Sequence, residues 1–293
     1  MATRTQGLLL GCLVLFLIGG FFMVASSLLL SSSWPGGDLG GLGGGRVGLV
    51  VIEGPIEASR DLVQELDDNR KDPSIKAVVV RVDSPGGEVA PSQELHSAMI
   101  RLAESKPVVA SLGSVAASGG YYVAVAADSI FADAGTLTGS IGVIFAYPTA
   151  KALMDKLGVT LQVYKSGELK DMGSYARDPT EEEGAVFDAL IADVYDQFVS
   201  AVADGRKMEM DRVIALADGR VYTGRQAVEN GLVDRLGDLH EAINVAAALG
   251  GLPEDPSVVR KAKPRLPLLD LLDTLLGSGA RATWGPRLEY RLR

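Results

Sequence analysis

Two β-branched runs, Val47–Ile52 and Ala77–Val82, are separated by the amphipathic stretch Ser59–Lys71. Short apolar runs of this kind suit strands buried on both faces, and a helix-length crossover between them makes them parallel. The alternation continues. The turn Asp83-Ser84-Pro85-Gly86-Gly87 leads into a helix through Leu95 to Ala103, then a strand over Val108–Leu112. Repeated units of this length predict one α/β domain built from right-handed βαβ crossovers.

Further along, Ile130–Ala132 and the segment Leu137–Ile144 read as short strands, Thr149–Leu157 as a helix and Val159–Tyr164 as another strand. Asp178-Pro179-Thr180-Glu181-Glu182-Glu183 opens a long helix to about Ala203, with acidic residues where the helix dipole favours them. At 293 residues and 47% hydrophobic, the chain can bury one such core and still supply an anchor and a tail.

The anchor is the uncharged run Leu8–Leu30. As a helix it reaches about 35 Å, against about 30 Å for a bilayer core. Arg4 precedes it and only Asp38 intervenes before Arg46, which puts the N-terminus in the cytoplasm and the domain outside, at the cell (inner) membrane. A cleaved signal peptide has a shorter apolar region, so an uncleaved anchor is the reading taken. The sole cysteine, Cys12, lies within the run, which leaves no internal disulfide. The expected organisation is residues 1–30 as transmembrane anchor, 31–45 as Ser/Gly linker, 46–250 as α/β domain and 251–293 as tail. The tail, with LPLLDLLDTLL followed by Arg281, Arg287, Arg291 and Arg293, reads as an amphipathic surface helix with a basic end, or as a frayed end.

A net charge of −9 argues against nucleic acid as the main partner. No phosphate-cradling loop and no metal-spaced cluster is found, so chemistry without metal or cofactor is expected. Ser118 then draws attention. It ends the run Gly113-Ser114-Val115-Ala116-Ala117 and is followed by Gly119-Gly120, where a buried strand gives way to a small-residue helix. That turn aims a hydroxyl at the positive end of a helix dipole with only Ala and Gly beside it. The bland alternative is a helix cap packed against a strand.

A nucleophilic serine needs a base. The two histidines, His96 and His240, lie in ordinary amphipathic patterns, which leaves a lysine. Lys170 sits in the loop Ser166-Gly167-Glu168-Leu169-Lys170-Asp171, and on spacing alone Lys165 serves nearly as well. Either amine must be neutral to act, so its pKa must fall by burial or a nearby dipole. The Pro85-Gly86-Gly87 turn can present bare backbone to a developing oxyanion, together with the amide of Gly119. Taken alone it is a plain β–α turn.

Five segments in order resemble the bacterial signal peptide peptidase A family: Arg81–Gly87, Ser114–Asp128, Thr136–Ile144, Tyr164–Asp171 and Asp218–Gly237. The resemblance runs from about Arg46 to about Ala248. It implies a spiral of βαβ units shared with Clp protease and crotonases, and a membrane-anchored serine peptidase. Within it, Ser118 is the nucleophile, Lys170 rather than Lys165 the general base, Ser140 the residue orienting the lysine, and Gly87 and Gly119 the oxyanion hole. It also implies that cleaved signal peptides are substrates. Longer members of the family carry two tandem copies that share the dyad. A chain with one copy is therefore expected to form a homo-oligomeric ring pairing Ser118 with a neighbour's Lys170. Two rivals remain: a protease of this fold with one specific membrane-protein substrate, and a crotonase-like acyl-CoA enzyme with no use for the serine.

Overall fold

The computed structural model describes residues 45–261 and 287–291. The proposed anchor, nearly all of the linker and the leucine-rich part of the tail lie outside them. Among the described residues no helix is long and apolar enough to cross a membrane.

The two opening runs are parallel neighbours: β1 (Arg46–Glu53) and β2 (Ile75–Ser84) pair in register from Val47↔Ala77 to Glu53↔Asp83. The helix Arg60–Lys71 crosses between them. β4 (Val108–Ala117) extends the sheet from β2, β5 (Ser129–Ala132) adds to β4, and β9 (Arg235–Leu236) closes that edge, all parallel. At the opposite edge β10 (Val258–Arg260) pairs with β1, so residues beyond Gly250 contribute to the domain. Val78, Val80, Val108, Ala110 and Leu112 are wholly buried, as strands packed on both faces should be. The α/β reading holds.

β4 outruns β5. Its last residues pair instead with β6 (Leu137–Gly139) in parallel, and β6 pairs antiparallel with β8 (Val221–Thr223). Thr136 and Thr138 secure this end by donating hydroxyls to the carbonyls of Gly113 and Ala116, at 2.7 and 2.6 Å. A second, three-stranded sheet stands apart. In it β11 (Arg287–Arg291) lies antiparallel between β3 (Gly86–Glu88) and β7 (Ile144–Ala146). Within the basic end of the tail, Arg287–Arg291 is thus a strand rather than part of a helix.

One expected strand is absent. Val159–Tyr164 is irregular, with Val159, Leu161, Val163 and Tyr164 exposed. The β-branched composition is right for a strand, but no described strand offers it a ladder partner, and an unpaired strand has nothing to hold it. The long acidic-ended helix is Glu181–Arg206. Thr180 caps it by accepting from the Glu183 amide while the Glu183 carboxylate accepts from the Thr180 amide.

Candidate active site

Ser118 sits between β4 and the helix Gly119–Ala124 with φ of 54°. A non-glycine residue there is strained, and the surroundings must hold it. They do so on both sides: the Ser118 amide donates to the Gly139 carbonyl at 2.7 Å, and the Ser118 carbonyl accepts from the Tyr122 amide at 2.8 Å. Ser140 mirrors it. It has φ of 51° and its amide donates to the Arg220 carbonyl at 2.8 Å. Because β4 and β6 pair Ala117 with Gly139, the two serines follow equivalent positions on adjacent strands. Both line one cavity of about 500 Å³, together with Val143, Ile144, Ile191 and Tyr195.

The glycine turn lies next to Ser118. Gly86 has φ of 91°, and a Cβ built on it would lie 2.6 Å from the Gly119 nitrogen and would collide with the Tyr290 carbonyl oxygen. No side chain fits. Gly87 is packed against the Ile56 backbone, and the Ile56 amide and carbonyl bond the Gly86 carbonyl and Glu88 amide. The two glycine turns named from the sequence are therefore together, with Gly86 in closest approach to Gly119. The Gly119 helix is only one and a half turns long, but its first amides add to the positive potential beside Ser118.

Lys170 is elsewhere in the chain's own fold. It is exposed, in a short 3-10 turn over Glu168–Asp171, and lines a separate hollow with Leu169 and Glu182. Ser118 and Ser140 are brought together by the fold; Lys170 is not brought into their cavity. Lys165 has a different commitment. Its ammonium donates to Asp171 Oδ1 at 2.9 Å and to the Glu168 carbonyl at 2.7 Å, and Asp171 raises its pKa. A lysine held as a cation is unsuited to accept a proton. The two lysines, level on spacing, differ in their contacts, and neither lines the Ser118 cavity.

Asp171 itself turns toward Arg177, which spans it and Glu183. Arg177 Nη2 lies 2.9 Å from Asp171 Oδ1 and Arg177 Nη1 lies 3.0 Å from Glu183 Oε2. This chain of charges ties the lysine loop to the capped end of the long helix. Arg177 foremost, then Lys165, holds the Asp171 carboxyl well below its usual range, and Arg177 likewise lowers Glu183. The tie is complete above about pH 5 and is lost as pH falls through the two depressed carboxylate values. Amide hydrogen exchange over residues 165–177, corrected for intrinsic rate, is expected to quicken below about pH 4. Arg177→Met should show that faster exchange already at neutral pH. Equal protection in wild type and variant across the range would discount the tie.

An aromatic cluster beside the serine turn went unread in the sequence. Tyr122 packs on His96, Phe198 and Tyr290 with ring centroids 4.8, 5.0 and 5.1 Å away. Burial pushes His96 down to about 4, so it is neutral at ordinary pH. Ile191, Val194, Tyr195 and Phe198 recur at helical spacing, which in the sequence looks like ordinary core. Nothing there marks that two of them, Ile191 and Tyr195, also wall the cavity.

The model of peptidase family S49 matches residues 100–252, a span containing Ser118, Ser140 and Lys170. A putative protease from Synechocystis sp. is 49% identical over 179 residues, 61% of this chain and 65% of that protein. A putative signal peptide peptidase SppA from Enterococcus faecium is 43% identical over 186 residues, 63% of this chain and 54% of that one. The chain thus covers less than two thirds of the length of either curated relative. Among solved structures, a ClpP1 mutant from Listeria monocytogenes overlaps 67% of this chain and 94% of its own, at 13% identity and a TM-score of 0.44, too slight a likeness to argue from. With five sequence segments in order, two strained serines on one cavity and a family model matched over more than half its length, the chain belongs to peptidase family S49.

Proposed function

We propose that this chain is a membrane-anchored serine endopeptidase that degrades remnant signal peptides and other small or unfolded hydrophobic peptides. The observation that carries the reading is Ser118, held at φ of 54° where β4 meets a helix, with the bare Gly86 and Gly119 backbones beside it. Ser118 Oγ attacks the peptide carbonyl, Gly87 and Gly119 amides receive the oxyanion, and Lys170 takes the serine proton and later activates water. Ser140 orients that lysine.

Lys170 comes from a neighbouring subunit in a homo-oligomeric ring. Supporting this, Lys170 and Ser118 line different hollows of one chain. The segment ahead of Lys170 exposes Leu153, Leu157, Val159, Leu161, Val163 and Tyr164, an apolar surface of the kind that subunit contacts cover. The run Leu8–Leu30 anchors the domain on the outer side of the inner membrane, where cleaved signal peptides remain.

The test is a digest. Full-length protein in detergent is given signal-peptide fragments and, separately, folded membrane proteins, while carbonate extraction of cell membranes reports anchoring. Cleavage of the fragments with folded proteins spared, and retention in the carbonate pellet, is the expected result. Cleavage of a folded membrane protein alone would favour a dedicated protease, and release into the carbonate supernatant would remove the anchor.

A further inference from the structure

β10 covers only part of the outer side of β1. It pairs with Val47, Gly48 and Leu49, whereas β1 runs on to Glu53. Successive residues of a strand direct their main-chain amides and carbonyls to opposite neighbours. The Val47 amide donates outward, to the Ser257 carbonyl at 2.9 Å, and the Gly54 amide donates inward, to the Asp83 carbonyl at 2.9 Å. By that alternation Val51 and Glu53 turn their main-chain groups to the outer side, where no described strand receives them. An edge left in this way is a template for an extended peptide.

This edge lies in a groove. Val51 and Glu53 line a hollow of about 1010 Å³ together with the first turns of the helix Arg60–Lys71. The charge around it is one-sided. Glu53, Glu57, Asp61 and Glu65 line the groove, and the last two lie four residues apart on one face of the helix. Against them stand Arg60 and Lys261. Lys261 is already committed: its ammonium donates to Asp68 Oδ2 at 2.7 Å, and Asp68 foremost, then Glu65 and Asp61, raise its pKa. Glu53, Glu57 and Asp61 remain exposed to a second cation.

The groove adjoins the serine site through the backbone. Pro55 and Glu57 line it, and Ile56 between them holds the glycine turn. The Ile56 amide donates to the Gly86 carbonyl at 2.9 Å, and the Ile56 carbonyl accepts from the Glu88 amide at 2.8 Å. Three residues separate Glu53 from Ile56, about 10 Å of extended chain. A peptide of modest length spans both places.

We propose that this groove receives the lysine- and arginine-bearing end of an extended peptide whose apolar stretch enters the Ser118 cavity, the basic segment adding as a strand to β1 beyond Leu49. The inference rests on the serine-peptidase reading above and narrows its substrates. The carboxylates fix the sign of the charge, and the open main chain fixes the extended form. A cationic end followed by an apolar run is the composition of a secretory signal peptide, so the groove tells such a remnant from an apolar peptide without charge.

Binding is measured by fluorescence anisotropy on full-length Ser118→Ala in detergent, so that no peptide is cut. Two labelled peptides share one apolar core, preceded in one by three lysines and in the other by three serines. The lysine peptide should bind about tenfold more tightly at low salt, and the gap should narrow as salt rises. Adding Glu57→Gln and Asp61→Asn should make the two bind alike; a preference that survives these changes would place recognition elsewhere. N-methylation of alternate amides in the lysine segment should weaken binding severalfold, because it removes donors to the edge. Undiminished binding would overturn strand addition. Equal binding of the lysine and serine peptides, where the wild type is labelled by a serine-reactive probe and cuts both, would overturn the groove and leave the peptidase reading standing. Absence of labelling and of cleavage of every peptide would instead remove the peptidase reading, and the substrate assignment with it. A lysine preference that emerges only with Lys263→Ser and Arg265→Ser would give the groove to the chain's own basic segment and overturn the proposal.

Discussion

Ser118→Ala is expected to lower peptide cleavage at least a hundredfold, about 3 kcal/mol in barrier, while leaving the fold intact. The substitution removes one oxygen from a residue only 1% exposed, and it keeps the Cβ that the local backbone already accommodates at φ of 54°. The hydrogen bonds that pin the residue run through its amide and carbonyl and survive the change. Unfolding in urea should therefore shift little between wild type and variant, while covalent labelling by a serine-reactive probe disappears. Labelling that persists in Ser118→Ala would place the nucleophile elsewhere.

Lys170→Arg should be as damaging as Lys170→Ala, because a guanidinium stays protonated and cannot serve as base. The more searching experiment mixes two dead chains. Co-expression of Ser118→Ala with Lys170→Ala creates junctions in which an intact serine meets an intact lysine from the next subunit. Random equal mixing should restore roughly a quarter of wild-type activity. No recovery from rings shown to contain both chains would assign serine and lysine to one chain and remove the shared site. The exposed position of Lys170, away from the Ser118 cavity, is the structural reason to expect recovery.

The central sheet was legible because buried parallel strands announce themselves as uninterrupted β-branched runs, as in Val47–Ile52 and Ala77–Val82. The long helix was legible from Thr180 and the three glutamates after it. Val159–Tyr164 was misread because composition records what a strand tolerates, whereas a strand exists only where a partner is available. Ser118 and the glycine turns stood out as small residues between a strand and a helix, a placement that a helix cap or a plain turn also gives, so only their occurrence together and the resemblance singled them out. Spacing alone left Lys170 and Lys165 level, and only the resemblance chose Lys170; what spacing could not show is that Asp171, one residue from Lys170 and six from Lys165 in sequence, engages Lys165 with its carboxylate. Tyr290 was beyond reach for a different reason. Its partners Gly87, Tyr122 and Val194 lie between 96 and 203 positions away, and no local pattern encodes so remote a pairing.

The bond from the Ser118 amide to the Gly139 carbonyl joins segments 21 residues apart in sequence, and with Ser118 as the proposed nucleophile it ties the arming of the site to folding. A nucleophile held by its own local turn would be armed as soon as that turn formed. Here one of the two bonds that hold the strained Ser118 backbone comes from β6 docked along β4, a parallel contact expected to wait for chain closure. During synthesis the growing polypeptide therefore carries a serine without a site. On the proposed reading, reactivity arrives only with completed tertiary structure, and a nascent or misfolded copy is expected to spare the other unfolded chains around it.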